Sequence, residues 1–134
     1  MKKIIILSAA ALAAGCTAER PMEMSAEAQS RLAEELAGRV EGPTHQCVSR
    51  RDLRGNRSAG EGAIIFEGRT NSRLWVSRPA AGCPALRSDR SLVTNTPSGR
   101  LCRGDIVRVV DLASRFEYGG CGIGEFTPYE RRAS

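Results

Sequence analysis

The chain has 134 residues, about one domain's worth. Its 20 lysines and arginines against 15 acidic residues leave a net charge of +5, and aromatic residues make up only 4%. The length excludes a multidomain enzyme, the mixed charge argues against a disordered chain, and the shortage of aromatics argues against a protein that stacks nucleic-acid bases. Lys2 and Lys3 are the only lysines, and the other 18 basic residues are arginines. Those arginines are scattered rather than gathered into a phosphate track, so no nucleic-acid partner is expected.

The first element is an address. Lys2 and Lys3 form a positive start, and residues 4–14 form an apolar run of 11 residues broken only by Ser8. A bilayer span needs about 20 apolar residues, so this run reads as a signal segment. It closes on Leu12-Ala13-Ala14-Gly15-Cys16. Small residues ahead of a cysteine at that place resemble the lipobox of bacterial lipoproteins. The resemblance implies cleavage between Gly15 and Cys16, acylation of the Cys16 thiol and amine, and a chain anchored to the lipid bilayer of the cell envelope. Ordinary cleavage after Ala9-Ala10-Ala11 or Ala11-Leu12-Ala13 is the competing reading. Thr17 in place of an aspartate points, by resemblance to the enterobacterial sorting rule, to the periplasmic face of the outer membrane.

Residues 16–24 read as a polar tether with Pro21. Residues 25–41 are predicted as a short amphipathic helix. Ser25 is its cap, Leu32, Leu36 and Val40 recur every four residues, and Gly42-Pro43 stops it. It would dock on the domain, act as a spacer or bind a partner. Residues 44–130 change period and are predicted as a small β domain. Residues 62–67 and 73–77 look like strands joined by a hairpin loop at 68–72. Residues 91–94 form a third short run. Residues 105–110 form the strongest strand, 115–118 pair back with it, and 120–126 are extended. Ile64 and Phe66 share one face and Ile65 takes the other, as Val107 and Val109 oppose Ile106 and Val110. Apolar residues on both faces point to a sheet wrapped on itself, as a small barrel or roll, or covered by the helix. The expected fold class is mainly β, preceded by a signal helix and the short amphipathic helix.

Five cysteines are present, Cys16, Cys47, Cys83, Cys102 and Cys121. If Cys16 carries lipid, four remain, an even set for an exported domain. They stand 36, 19 and 19 residues apart, with no close ligand pair and one histidine, His45, so two disulfides are expected rather than a metal site. A small domain buries only about 60–65% of its unfolded surface, which makes such staples useful. Three pairings are possible. The nested one, Cys47–Cys121 around Cys83–Cys102, is expected; closing loops of about 75 and 20 residues would contribute roughly 4.5 and 3 kcal/mol in the chain-entropy model.

Catalytic chemistry has few carriers. His45 is the sole imidazole, beside a predicted linker, and no nucleophile-elbow motif accompanies it. Glu61, Glu67, Asp105, Asp111, Glu117 and Glu125 could supply paired carboxylates, but spacing pairs none of them. Arg103-Gly104-Asp105 spells an integrin tripeptide and reads as a turn. The glycines of residues 119–124 lack the following helix that a phosphate cradle needs, and suit close backbone approach around a disulfide. Trp75 is a candidate binding aromatic or a core residue. Arg50, Arg51, Arg54 and Arg57 form the densest basic set, a candidate grip on carboxylates or phosphates or simply a soluble loop. No cofactor is expected.

Four pieces together resemble a family of small exported proteobacterial proteins known as a domain of unknown function. They are Cys47 with Arg51-Asp52-Leu53-Arg54, then Cys83-Pro84-Ala85-Leu86, then Leu101-Cys102-Arg103-Gly104-Asp105, then Cys121-Gly122-Ile123-Gly124-Glu125-Phe126-Thr127-Pro128. The resemblance implies an exported, cysteine-containing domain, and brings no activity, cofactor or partner with it. The functional expectation is an anchored envelope lipoprotein that binds an envelope partner or supports an assembly, and is not an enzyme. The alternatives are an envelope hydrolase, or an inhibitor or immunity-type protein with a rigid exposed loop such as 97–100 or 68–72.

Overall fold

A computed structural model describes residues 23–60 and 62–133. The predicted signal helix, the Gly15–Cys16 cleavage site, most of the tether, and Glu61 lie outside the described residues. Helix α1 spans Ala26–Glu35, and Ser25 Oγ caps it by accepting the Ala28 N–H at 3.2 Å. The Glu27–Arg31 pair, one turn apart, stands on its exposed side. The helix is shorter than the predicted 25–41. Gly38, at φ 72°, takes the left-handed conformation that few side chains tolerate and turns the chain out of the helix. Residues beyond it become strand β1, Arg39–Glu41. The four-residue spacing of Leu32, Leu36 and Val40 therefore runs across two elements, and Val40 ends exposed on a strand.

Strands β3 (Leu53–Ser58), β4 (Ile64–Gly68), β5 (Arg73–Ser77) and β10 (Phe126–Arg131) join β1 in a five-stranded antiparallel sheet. Their order is β1-β10-β5-β4-β3. Strand β2 (Cys47–Ser49) pairs with β7 (Arg100–Cys102). A third sheet has the order β6-β8-β9, from Ser91–Val93, Ile106–Val110 and Glu117–Gly122. The β4–β5 and β8–β9 pairings agree with the sequence reading. The fold is mainly β, and no ladder joins β1 to β3, so the large sheet stays open.

Alternation along β4 explains the layering. Ile64 and Phe66 enter a core with Trp75, Leu101, Val107 and Phe126, between the large sheet and the two small ones. Ile65 points the other way, to Leu32, Ala59 and Val76, beneath the helix. Burying each such aliphatic side chain contributes about 1.5–3 kcal/mol, which lets a narrow helical stripe hold α1 down. Gly60 sets the approach, because a Cβ there would stand 2.4 Å from the Ala28 Cβ.

The disulfides are Cys47–Cys102 and Cys83–Cys121. The expected nested pairing is corrected: the two closed loops interleave. Strand register decides the first bond, since Cys47 and Cys102 are direct cross-strand partners on β2 and β7. For the second, Cys121 turns inward from β9 to meet Cys83 in the core.

Candidate binding hairpin

The sequence-nominated arginines do not converge. Arg50 and Arg51 lie exposed in a single 3-10 turn, Arg50–Asp52. Arg54 and Arg57 follow on β3, which the sequence reads as a loop because its residues are polar. Arg54 donates to the Arg69 carbonyl at 3.3 Å. Arg57 is committed within the molecule: Nη2 meets Glu35 Oε2 and Nη1 meets Glu67 Oε1, both at 2.6 Å. The hydrogen bond from Arg57 holds the Glu35 carboxyl below its ordinary pKa, and the same bond raises that of the arginine. The recess between Arg50 and Arg54 has a volume of only about 170 Å³.

Trp75 is 5% exposed and belongs to the core, so it is withdrawn as a surface binding aromatic. The His45 and Trp75 rings meet edge to face at a centroid distance of 5.3 Å. His45 is not in a linker, since its backbone exchanges hydrogen bonds with Phe126 at 2.7 and 2.9 Å, although its side chain is exposed. Of the nominated carboxylates, Glu67 pairs with Arg57, Glu117 with Arg108 and Glu125 with Arg103. Asp105 accepts the Cys102 N–H at 2.8 Å, which makes Arg103-Gly104-Asp105 a turn, with Gly104 at φ 89°. Gly124 serves close approach: its N–H donates to the buried Ser77 Oγ, and a Cβ there would lie 2.2 Å from the Arg78 carbonyl oxygen. Among the described residues, no three His, Cys, Asp or Glu side chains gather as a metal-ligand set, and no helix is long and apolar enough to cross a membrane.

The most unusual surface is the β8–β9 hairpin. Leu112 is 66% exposed, Phe116 59% and Tyr118 38%, and Ile106 at the strand's start is 71% exposed. Their turn is internally bonded. Asp111 Oδ1 accepts the N–H groups of Ala113 and Ser114 at 2.8 and 3.1 Å, and the Ser114 hydroxyl accepts from Phe116 N–H. Asp111 and Phe116 close the loop through their backbones, and Arg115 takes φ 61°. The Ser114 and Ala113 amides hold the Asp111 carboxyl below the usual aspartate range. Phe116 and Tyr118 meet edge to face at 4.7 Å, and the Arg90 guanidinium lies 3.4 Å over the Tyr118 ring. Strand β9 is also an edge strand of its sheet, pinned at Cys121 by the disulfide to Cys83. Apolar side chains that a stiff turn holds in water lose little conformational entropy when a partner covers them, and exposed aromatics are common binding anchors.

Sequence reasoning missed this hairpin tip. The available signal was that Phe116 and Tyr118, two of only six aromatics, follow closely on a turn opened by aspartate. A recess of about 730 Å³ lies elsewhere, beside α1 against Arg78 and Pro79. Compared with protein-family models, curated proteins and solved structures, the chain has no match.

Proposed function

We propose that this chain is a cell-envelope lipoprotein, anchored through acylated Cys16, whose disulfide-stapled β domain works by binding a protein partner through the β8–β9 hairpin. The observation that carries the binding reading is the exposure of Leu112, Phe116 and Tyr118 on a turn braced by Asp111. The anchor rests on the likeness of Met1–Cys16 to a lipobox, and the export reading on the even set of four further cysteines. The roll-like arrangement belongs to the same reading, with the small sheets folded over one face of the large one. Action by binding rather than chemistry is supported by the employment of each described carboxylate candidate in a local pair or turn. The braced loop equally suits an inhibitor or immunity-type protein, which would present residues 111–116 in place of the loops at 68–72 and 97–100.

The test has two arms. Cys16→Ala should abolish labelling by an alkyne fatty acid and leave the precursor uncut; normal processing of that variant refutes the anchor. Leu112→Ser with Phe116→Ser should remove the partner that the unaltered protein recovers from its own envelope. Unchanged recovery refutes the hairpin as the binding surface.

A further inference from the structure

A second feature lies on the helix-side face of the large sheet, beyond the end of α1. The register of β1 on β10 sets Arg39 directly opposite Arg131. Like charges so placed repel, yet Arg39 is held where it stands. Its Nη1 donates to the Ser72 and Tyr129 carbonyls at 2.6 and 3.5 Å, and its Nη2 to the Asn71 carbonyl at 3.3 Å. Arg131 is fixed through its backbone N–H, which donates to Ser72 at 2.8 Å, while its side chain is exposed. Among the described residues, neither guanidinium has a carboxylate within ion-pair distance, whereas Arg57 and Arg73 nearby are both paired. Burial, then the charges of Arg131 and Arg57, pull the Arg39 pKa down against the opposing pull of Glu130 and Glu35.

The two arginines stand over a recess. Adjoining cavities of about 440 and 180 Å³ share Arg39, Arg57, Leu74 and Arg131, and their combined lining holds five arginines against three glutamates. Arg31 and Arg73 pair with Glu27 and Glu130, and Arg57 with Glu35 and Glu67, which leaves Arg39 and Arg131 as the lining guanidiniums with no carboxylate at ion-pair distance among the described residues. Thr70 and Asn71 add polar groups at the rim of the smaller cavity. A guanidinium fork grips an oxyanion with paired, charge-assisted hydrogen bonds; the exposed Arg131 offers such a fork, and Arg39, whose Nη atoms already donate to carbonyls, adds its positive charge beside it.

We propose that Arg39 and Arg131 form a site for a phosphate dianion, carried either by a phosphomonoester lipid headgroup or by a soluble phosphate. The site is separate from the hairpin and does not depend on the hairpin's role. Binding would replace the repulsion between the facing arginines by attraction to a shared anion.

The test uses the full chain in micelles of a neutral detergent. Inorganic phosphate is titrated against chloride at matched ionic strength, and in a parallel arm phosphatidic acid is doped into the micelles. The side-chain Nε–H resonances of Arg39 and Arg131 are followed together with the unfolding temperature. A saturable shift of both resonances and a rise of several degrees are expected in at least one arm. A response to phosphatidic acid alone assigns the site to a lipid headgroup, and a response to inorganic phosphate assigns it to a soluble one. Arg131→Gln, at an exposed side chain with no bond to lose, should weaken the response at least about tenfold. Arg50→Gln should leave it unchanged. Silence in both arms, or an equal response from Arg131→Gln, overturns the proposal.

Discussion

Removing the Cys83–Cys121 bond tests the interleaved pairing most directly. The bond spans a sequence separation of 38 residues. In the chain-entropy treatment, closing a loop of about 40 residues restrains the unfolded chain by about 4 kcal/mol. Cys83 and Cys121 are both buried in the main core, so replacing both by alanine also leaves a small void where the sulfurs packed. The expected loss for Cys83→Ala with Cys121→Ala is therefore about 4 kcal/mol or slightly more. With a urea slope of about 1.5–2 kcal/mol/M, the midpoint should fall by about 2–2.7 M. The assay is urea unfolding followed by circular dichroism on the oxidised protein, with peptide mapping of the bond that remains. The map should return Cys47 joined to Cys102. A loss below about 1 kcal/mol, or a peptide joining Cys47 to Cys121 in the unaltered protein, would refute the reasoning.

Four further outcomes are expected. Leu32→Ala empties the main apolar contact of α1 with the sheet and should cost about 2–4 kcal/mol in the same unfolding assay, because Leu32 is buried against Ile65 and Val76. Gly60→Ala should destabilise as well, since φ there is +102° and the new methyl group meets Ala28; stability at or above that of the unaltered protein would contradict the helix docking. Asp111 has a depressed folded pKa, so its bracing is present above the unfolded aspartate value of about 3.9 and is lost as pH falls through the lower folded value. Amide protection at Ala113 and Ser114, taken by NMR as the observed exchange rate relative to the intrinsic rate at each pH, should therefore fall only below about pH 3.9, and a fall that begins near neutrality would be inconsistent with that bond. Arg50→Gln, Arg51→Gln and Arg54→Gln together should change stability by less than about 0.5 kcal/mol and leave partner recovery intact.

Particular residues show how far the sequence could be read. The strands at 73–77 and 106–110 were legible because short runs of β-branched, aromatic and other apolar residues fill them, and such composition is a local property. Strand β3 was not legible. Leu53–Ser58 is mostly polar, and it becomes a strand only because β4 offers it a ladder. The short strands β1, β2 and β7 carry three residues each, too few for any period to appear. At the candidate sites, Arg57 looked free until Glu35 and Glu67, 22 and 10 residues away in sequence, closed on it. Phe116 and Leu112 drew no notice in the sequence, and the turn points both into water.

The amino-acid sequence by itself determined the mainly β class, the face that each residue of β4 presents, and the even number of cysteines left for staples beyond Cys16. These follow from local periodicity and from counting, which need no knowledge of distant neighbours. Only the tertiary structure decided which sulfurs meet, where α1 ends, and which charges face one another. Cys47 finds Cys102 through strand register, and Arg39 finds Arg131 the same way across 92 residues. Register between distant strands is selected by the packing of the whole core. No local pattern encodes it, so the disulfide pairing and the arginine recess emerge only once the sheets are assembled.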